Sequence, residues 1–339
     1  MADNQHLSME ARQESALPRG AGWQYEPKWD GFRCLALRDG GSVELLGRSG
    51  KSLSRYFPEM VEALRALKTR RFILDGELTI PVGKVLSFEE LQSRLHPAAS
   101  RVRKLADAHP SLLILFDMLQ TSRGADLTGK PLEDRRAALE KFMTTLGPTS
   151  ILRLSPATTS RAQAEKWLKR AGNGELDGVV AKRLDDPYLA GKRAMIKVKN
   201  LRTADCVVGG FRYAGDGKIA IGSLLLGLFN GNGKLDHVGF ISGFPDDDRL
   251  ALAKKLKPLI GGAGFTGDAP GGPSRWSTER TQVWEPLKTK LVVEVQYDHV
   301  TGDRFRHATR FVRWRPDKQP SACTIDQLQP ERLMRGCSP

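Results

Sequence analysis

Cysteine is scarce in this 339-residue chain. Cys34, Cys206, Cys323 and Cys337 are scattered, with no C-x-x-C pair and no histidine at zinc-like spacing. That excludes a disulfide scaffold and a cysteine-based zinc site, and suits a reducing compartment. Long apolar runs are also missing. The longest, near Leu112–Phe116 and Ile219–Phe229, are too short to span a bilayer and read as buried strands. The opening Met1-Ala2-Asp3-Asn4-Gln5-His6 lacks the basic-then-apolar profile of a secretory leader. These absences imply a soluble, intracellular protein. No internal repeat or heptad pattern is visible. Acidic residues are outnumbered, 39 against 53 Lys and Arg, for a formal net charge of +14 and a pI near 9.8. A balance of that sign suits a polyanionic partner, most commonly nucleic acid, without identifying one.

The chain is organised around Tyr25-Glu26-Pro27-Lys28-Trp29-Asp30-Gly31-Phe32-Arg33. A short strand over Gly22–Glu26 and a second from Phe32 to the Asp39-Gly40-Gly41 turn put Lys28 in a tight loop, between Pro27 and Gly31. A lysine so held can act as a covalent nucleophile once its ammonium loses a proton, which burial or the nearby cation of Arg33 favours. Asp30 pulls the other way, so it suits positioning of the amine or metal binding. Alone, K-x-D-G in a lysine-rich chain is more often a surface lysine.

The expected class is α+β in two domains. Residues 1–20 read as a flexible lead-in. Residues 21–200 form the first domain, of mixed or antiparallel sheets plus helices. Phe57, Met60, Val61, Leu64 and Leu67 recur at helical spacing. Phe72–Ile80 is an apolar strand carrying Asp75 and Glu77 around Gly76; burying two carboxylates is costly unless a cation meets them, and a surface bend is the alternative. A short helix over Phe88–Leu95 precedes the strand Ser111–Met118, where Phe116 is either core or a stacking platform for a flat base. Helices follow at 132–146 and 161–171, the second with Ser160 and Gln163 in capping-box spacing. Glu175–Arg183 is a strand with an acid at its start and a lysine at its end. Met195–Asn200 sets Lys197 and Lys199 on one face. Beyond it, strands at 205–213, 218–229, 234–242, 291–297 and 306–314, with a helix at 246–258, suit an OB-fold β-barrel over 201–318. Leu201–Ala204 is the expected hinge, 261–272 a mobile glycine-rich insert, and 319–339 a C-terminal tail.

Lys28-Trp29-Asp30-Gly31-Phe32-Arg33 resembles motif I of the covalent nucleotidyltransferases: DNA ligases, RNA ligases and mRNA capping enzymes. Asp75-Gly76-Glu77 looks like motif III and Leu115-Phe116-Asp117 like motif IIIa. Asp177-Gly178-Val179-Val180-Ala181-Lys182 looks like motif IV, Lys197-Val198-Lys199 like motif V, and Arg313 to Lys318 like motif VI. The ordered set spans residues 26–318. Glu26 to Gly31 and the Arg-Trp-Arg-Pro-Asp-Lys ending are most similar to bacterial ATP-dependent DNA ligases of the LigC/LigD type, the stand-alone form being nearer because no polymerase or nuclease module is attached. Motif IV departs from the pattern, with Asp177 where Glu is usual.

The resemblance implies an adenylation domain and an OB-fold domain that together seal nicks in duplex DNA, in repair. Lys28 would take AMP from ATP, pass it to the 5′-phosphate of the nick, and leave the 3′-hydroxyl to displace it. The implied catalytic set is Lys28, Asp30, Arg33, Lys197 and Lys199. Glu26, Arg48, Glu77, Phe116, Asp177, Lys182, Arg313, Arg315 and Lys318 would join Lys28, Arg33, Lys197 and Lys199 in binding the nucleotide. Asp30, Glu77 and Asp177 would hold Mg²⁺ or Mn²⁺. Arg313, Arg315 and Lys318 would orient pyrophosphate as the second domain closes. Also implied are a monomer in the bacterial cytoplasm, associated with the nucleoid, and nick binding without a separate N-terminal DNA-binding domain, weakening steeply with salt. An RNA ligase or a capping enzyme is the alternative, although capping enzymes usually carry Thr where this chain has Trp29. A non-catalytic nucleic-acid-binding protein is a third reading.

Overall fold

The computed structural model describes residues 7–83, 85–172, 176–215, 219–271 and 283–328, and divides the chain into units Met1–Asn200 and Leu201–Pro339. In the first unit, apolar runs punctuated by glycine turns give β1 (Ala11–Gln13), β2 (Trp23–Trp29), β3 (Phe32–Asp39) and β4 (Ser42–Gly47). Then come α1 (Pro58–Ala66), β5 (Arg71–Thr79), a small hairpin of β6 (Pro81–Val82) and β7 (Val85–Leu86), α2 (Phe88–Ser93) and α3 (Ala99–Ala108). β8 (Leu112–Gln120), α4 (Leu132–Leu146), β9 (Leu152–Leu154), α5 (Arg161–Arg170), β10 (Leu176–Arg183) and β11 (Met195–Val198) complete it.

Two sheets result. One has the order β4-β3-β5-β8-β9, antiparallel except for the parallel β8–β9 pair. Met60 and Leu64 of α1 and Leu139 and Phe142 of α4 cover one of its faces, against Phe72, Leu74, Leu113 and Leu115. The other sheet has the order β1-β11-β10-β2, with α5 packing Ala164, Trp167 and Leu168 on Tyr25, Val179 and Ile196. Leu35, Leu46 and Leu119 from the first sheet meet Val180 and Met195 from the second, so the two sheets share an interior.

In the second unit, β12 (Arg202–Tyr213), β13 (Ile221–Phe229) and β14 (Leu235–Ser242) lead into α6 (Asp246–Leu256). β15 (Glu285–Pro286), β16 (Val292–Tyr297), a hairpin of β17 (Val300–Thr301) and β18 (Arg304–Phe305), and β19 (Arg310–Trp314) follow. The sheet runs β14-β13-β12-β16-β19, and a parallel bridge between Ile241 and Thr309 brings its two edges together, as an OB fold requires.

Several sequence expectations need correction. Lys28 lies within β2 rather than in a loop, because the ladder to β10 continues past Pro27 with Lys28 opposite Gly178. Residues 7–20 are not a free lead-in: β1 pairs in parallel with β11, and Met9 and Leu17 are buried. The proposed hinge is already partly strand, since Arg202, Thr203 and Ala204 pair with Tyr297, Gln296 and Val295. The insert from Gly261 is anchored by Phe265, which is buried in the core, and by the Thr266 and Gly267 amides bonding to the Leu235 carbonyl. The expected tail from Gln319 packs Cys323, Ile325 and Leu328 into the second core. Met1 to His6, Glu175, Gly272, Cys337 and the rest of 329–339 lie outside the described residues. Among the described residues, no helix is long and apolar enough to cross a membrane.

Candidate active site

β10 is the centre of the site. On one side it pairs with β2, setting Glu26 opposite Val180 and Gln24 opposite Lys182; on the other it pairs with β11, setting Val180 opposite Lys197. The register shifts between Leu176 and Gly178. Gly178 has φ of 153°, and a Cβ there would run into the carbonyl oxygen of Val198. Glycine alone therefore lets the chain after β11 come close enough for Lys199 to reach Asp177.

At that point Asp177 Oδ2 accepts from Lys28 Nζ at 2.6 Å and lies 3.1 Å from Lys199 Nζ. Burial alone would raise the Asp177 carboxyl, but Lys28 and Lys199 outweigh it and hold it below the ordinary carboxylate range. Lys197 is lowered by burial and by the like charges of Lys28 and Lys199. Three ammonium groups around one carboxylate make an excess of positive charge suited to phosphate. Arg48 adds to that charge from the exposed edge; its side chain is 74% exposed and 3.9 Å from Glu10.

The first sheet supplies the second cluster. Arg33 on β3 lies opposite Glu77 on β5 and grips Asp75 with two bonds, Nε to Oδ1 at 2.6 Å and Nη2 to Oδ2 at 2.7 Å. Asp75 is 0% exposed, so the cation that its burial demanded is Arg33. Burial opposes the charge on Arg33, but Asp75, Tyr188 and Glu77 raise its pKa above the ordinary value. Burial pushes Glu77 up to about 7, against the pull of Lys28 and Arg33 and with help from Asp30 and Asp75. A Cβ at Gly31 would strike the Leu78 carbonyl, so this glycine lets the β2–β3 turn lie flat against β5 beside Glu77.

The two clusters meet at Phe116 on β8. The Arg33 guanidinium is 4.4 Å from its ring centroid and the Lys182 ammonium 4.6 Å. Lys182 also forms an ion pair with Glu26 at 2.8 Å, and Glu26 Oε1 accepts a hydrogen bond from Gln24 Nε2 at 2.7 Å. Phe116 is 6% exposed. Phe116 is thus covered by cations rather than open to a base, because the negative ring face attracts them where water is excluded.

The expected metal ligands do not form a preassembled cage: among the described residues, no group of three or more His, Cys, Asp or Glu side chains could hold a metal ion. Asp177 is engaged by lysines, whereas Glu77 feels the charge of Asp30. Arg313, Arg315 and Lys318 are gathered in the second unit by carboxylates of that unit. Arg313 pairs with Glu294 at 2.6 Å. Asp205 on β12 takes two bonds from Arg315, at 2.9 and 3.0 Å, and one from Lys318 at 2.7 Å.

Sequence reasoning missed Asp205 and Tyr188, neither of which sits in a recognisable pattern. It also missed the buried Asp117–Arg135 pair, with bonds of 2.9 and 3.0 Å, which ties β8 to α4 at the residue after Phe116. Asp75 could have been paired with Arg33 from the cost of burying it.

Residues 7–199 match the family model for the ATP dependent DNA ligase domain, and residues 217–318 match the ATP dependent DNA ligase C terminal region. The chain belongs to the ATP-dependent DNA ligases. Relatives of this ligase include DNA ligase C2 of Mycolicibacterium smegmatis, 45% identical over 321 residues, covering 91% of this chain and 90% of that one. DNA ligase C of Mycobacterium tuberculosis is 44% identical over 335 residues, covering 95% and 93%. The crystal structure of the ligase domain from M. tuberculosis LigD superposes with a TM-score of 0.51 at 30% identity, covering 95% of the ligase and 98% of that domain. The two units are accordingly a nucleotidyltransferase domain and a C-terminal OB-fold domain.

Proposed function

We propose that this ligase carries AMP on Lys28 and uses it to seal nicks in duplex DNA, acting as a monomer in the cytoplasm, close to the nucleoid. A role in repair accords with the name of the M. tuberculosis LigD protein, which assigns that protein to non-homologous end joining DNA repair. The observation that carries the lysyl-AMP reading is the Asp177 oxygen shared by Lys28 at 2.6 Å and Lys199 at 3.1 Å, with Lys197 close by.

In the first step Lys28 Nζ, having lost a proton, forms a bond to the α-phosphorus of ATP, and the bond to the pyrophosphate oxygen breaks. An oxygen of the nick 5′-phosphate then attacks the same phosphorus and Lys28 leaves. Finally the 3′-hydroxyl attacks the 5′-phosphorus and AMP departs. Each transfer depends on placement and on neutralising negative charge. Asp177 holds the Lys28 amine in place. Lys197 and Lys199 face the α-phosphate, Arg33 and Arg48 hold phosphate or sugar, and Glu77 accepts from the ribose hydroxyls. Phe116 stacks on adenine after a cation withdraws, with Glu26 and Lys182 at the base edge. Arg313, Arg315 and Lys318 orient pyrophosphate.

Mg²⁺ or Mn²⁺ fits this donor set. A carboxyl pushed up to about 7 beside a second carboxylate is one that a hard dication would stabilise in its charged form. Glu77 and Asp30 would hold it, with Asp177 available if its lysines turn to phosphate, and it would neutralise phosphate charge. ATP labelled at the α-phosphate tests the scheme. The parent protein should become covalently labelled and Lys28→Ala should not; unlabelled parent protein, or a labelled Lys28→Ala, would refute it.

A further inference from the structure

Tyr188 belongs to no motif. It follows β10 in the loop that leads to β11, yet its side chain is only 6% exposed. A buried phenol needs partners for its hydroxyl, and both are present. The hydroxyl donates to Asp75 Oδ2 at 2.6 Å and accepts the backbone N–H of Met9 at 2.9 Å. The Met9 amide can only donate, so the hydroxyl proton is committed to Asp75. The Arg135 guanidinium stands 5.7 Å from the ring centroid, itself held by Asp117 and by the carbonyls of Lys130 and Asp186. Asp75 in turn spends both oxygens on Arg33.

The partner amide belongs to a segment bound tightly to the same region. The Gly191 amide donates to Ser8 O at 3.3 Å, Glu10 to Lys192 O at 2.8 Å, and Met195 to Glu10 O at 3.1 Å. β1 then lays Gln13 beside Lys197, and the Glu14 amide donates to Lys197 O at 3.0 Å. One stretch of seven residues therefore braces the strand carrying Lys197 and the tyrosine that meets the carboxylate of Arg33.

We propose that Tyr188 is a positioning residue for adenylyl transfer: on the lysyl-AMP chemistry above, it fixes Asp75 and thereby Arg33, braced by the segment Ser8–Glu14. The ring fills space in the shared interior, and phenylalanine would fill it equally well. The hydroxyl has a separate task. It is the neutral donor that completes the carboxylate's bonding, so that Asp75 holds the guanidinium fork in one orientation.

The test is Tyr188→Phe in the full chain, followed by the single-turnover rate of Lys28 labelling from α-labelled ATP. Labelling should slow by about ten- to a hundredfold, the range for removing the partner of an oriented ligand or displacing a reacting group by about 1 Å. A purely structural loss would slow every background alike. In Arg33→Lys, which has lost the two-pronged contact with Asp75, the added Tyr188→Phe change should cost less than about twofold, the non-additivity expected of residues acting through one another. Parental labelling by Tyr188→Phe, or equal losses in both backgrounds, overturns the assignment. Met9→Pro, which removes the amide donor, provides a check independent of any Arg33 variant: labelling should slow, and labelling at the parental rate overturns the brace. Failure of the parent itself to label would refute the lysyl-AMP scheme instead.

Discussion

Replacing Glu77 by glutamine should stabilise the protein without ligand while damaging its chemistry. Burial raises the Glu77 carboxyl to about 7 from an ordinary 4.5, outweighing the pull of Lys28 and Arg33, with smaller help from Asp30 and Asp75. A group whose folded-state pKa is raised in this way favours the protonated fold. For a carboxyl that stability is fully present at low pH and is lost as pH rises from about 4.5 to about 7. The difference corresponds to about 3 kcal/mol, and solvent at the partly exposed edge of Glu77 reduces it to about 2 kcal/mol. Glutamine keeps the shape and cannot ionise. The first unit of Glu77→Gln should therefore match the parent near pH 4.5 and exceed it by about 2 kcal/mol near pH 8, about 4–8 °C in its melting transition. The assay is thermal and urea unfolding of both proteins across that range without nucleotide. A parent-to-variant difference that stays constant with pH would refute the reasoning, because it would mean that Glu77 ionises as freely in the fold as in water. The same variant should label Lys28 poorly, having lost the carboxylate proposed above to meet ribose or metal; a stable site and a working one would then make opposite demands on this position.

Arg315→Ala should block Lys28 labelling from ATP yet spare sealing of a nick already carrying AMP; equal loss of both steps would defeat the role assigned to the second unit. Gly178→Ala places a Cβ against the Val198 carbonyl at a φ of 153°, and should cost about 3 kcal/mol or more, read as a lowered urea midpoint. An unchanged midpoint would show that β10 and β11 can part without loss. Burial, with Arg304 and Arg212 beside it, lowers His237 to about 3 from 6.5. The stability it contributes is present above pH 6.5 and lost as pH falls from there toward about 3, so the advantage of the parent over His237→Gln should shrink on acidification. A pH-independent advantage would rule this out.

Much of the site was legible in the chain alone, because phosphoryl transfer asks for charged residues beside glycines at short spacings, and such patterns survive in one dimension. Lys28 with Asp30 and Gly31, Asp75 with Glu77, and Lys197 with Lys199 are each local groups, and the strands bearing them follow from apolar runs. The main-sheet strands β12, β13, β14, β16 and β19 and the helix α6 of the second unit were readable for the same reason. Tertiary structure decided who meets whom. Asp177 shares one oxygen between two lysines because a glycine lets the chain beyond β11 approach β10, and no spacing encodes that approach. Phe116 is covered by Arg33 and Lys182 because its strand lies where both sheets converge. The segment before β2 looked unstructured because it has no period of its own. It is ordered by borrowing the free edge of β11, and hydrogen bonds supplied by a partner strand leave no trace in the sequence that accepts them.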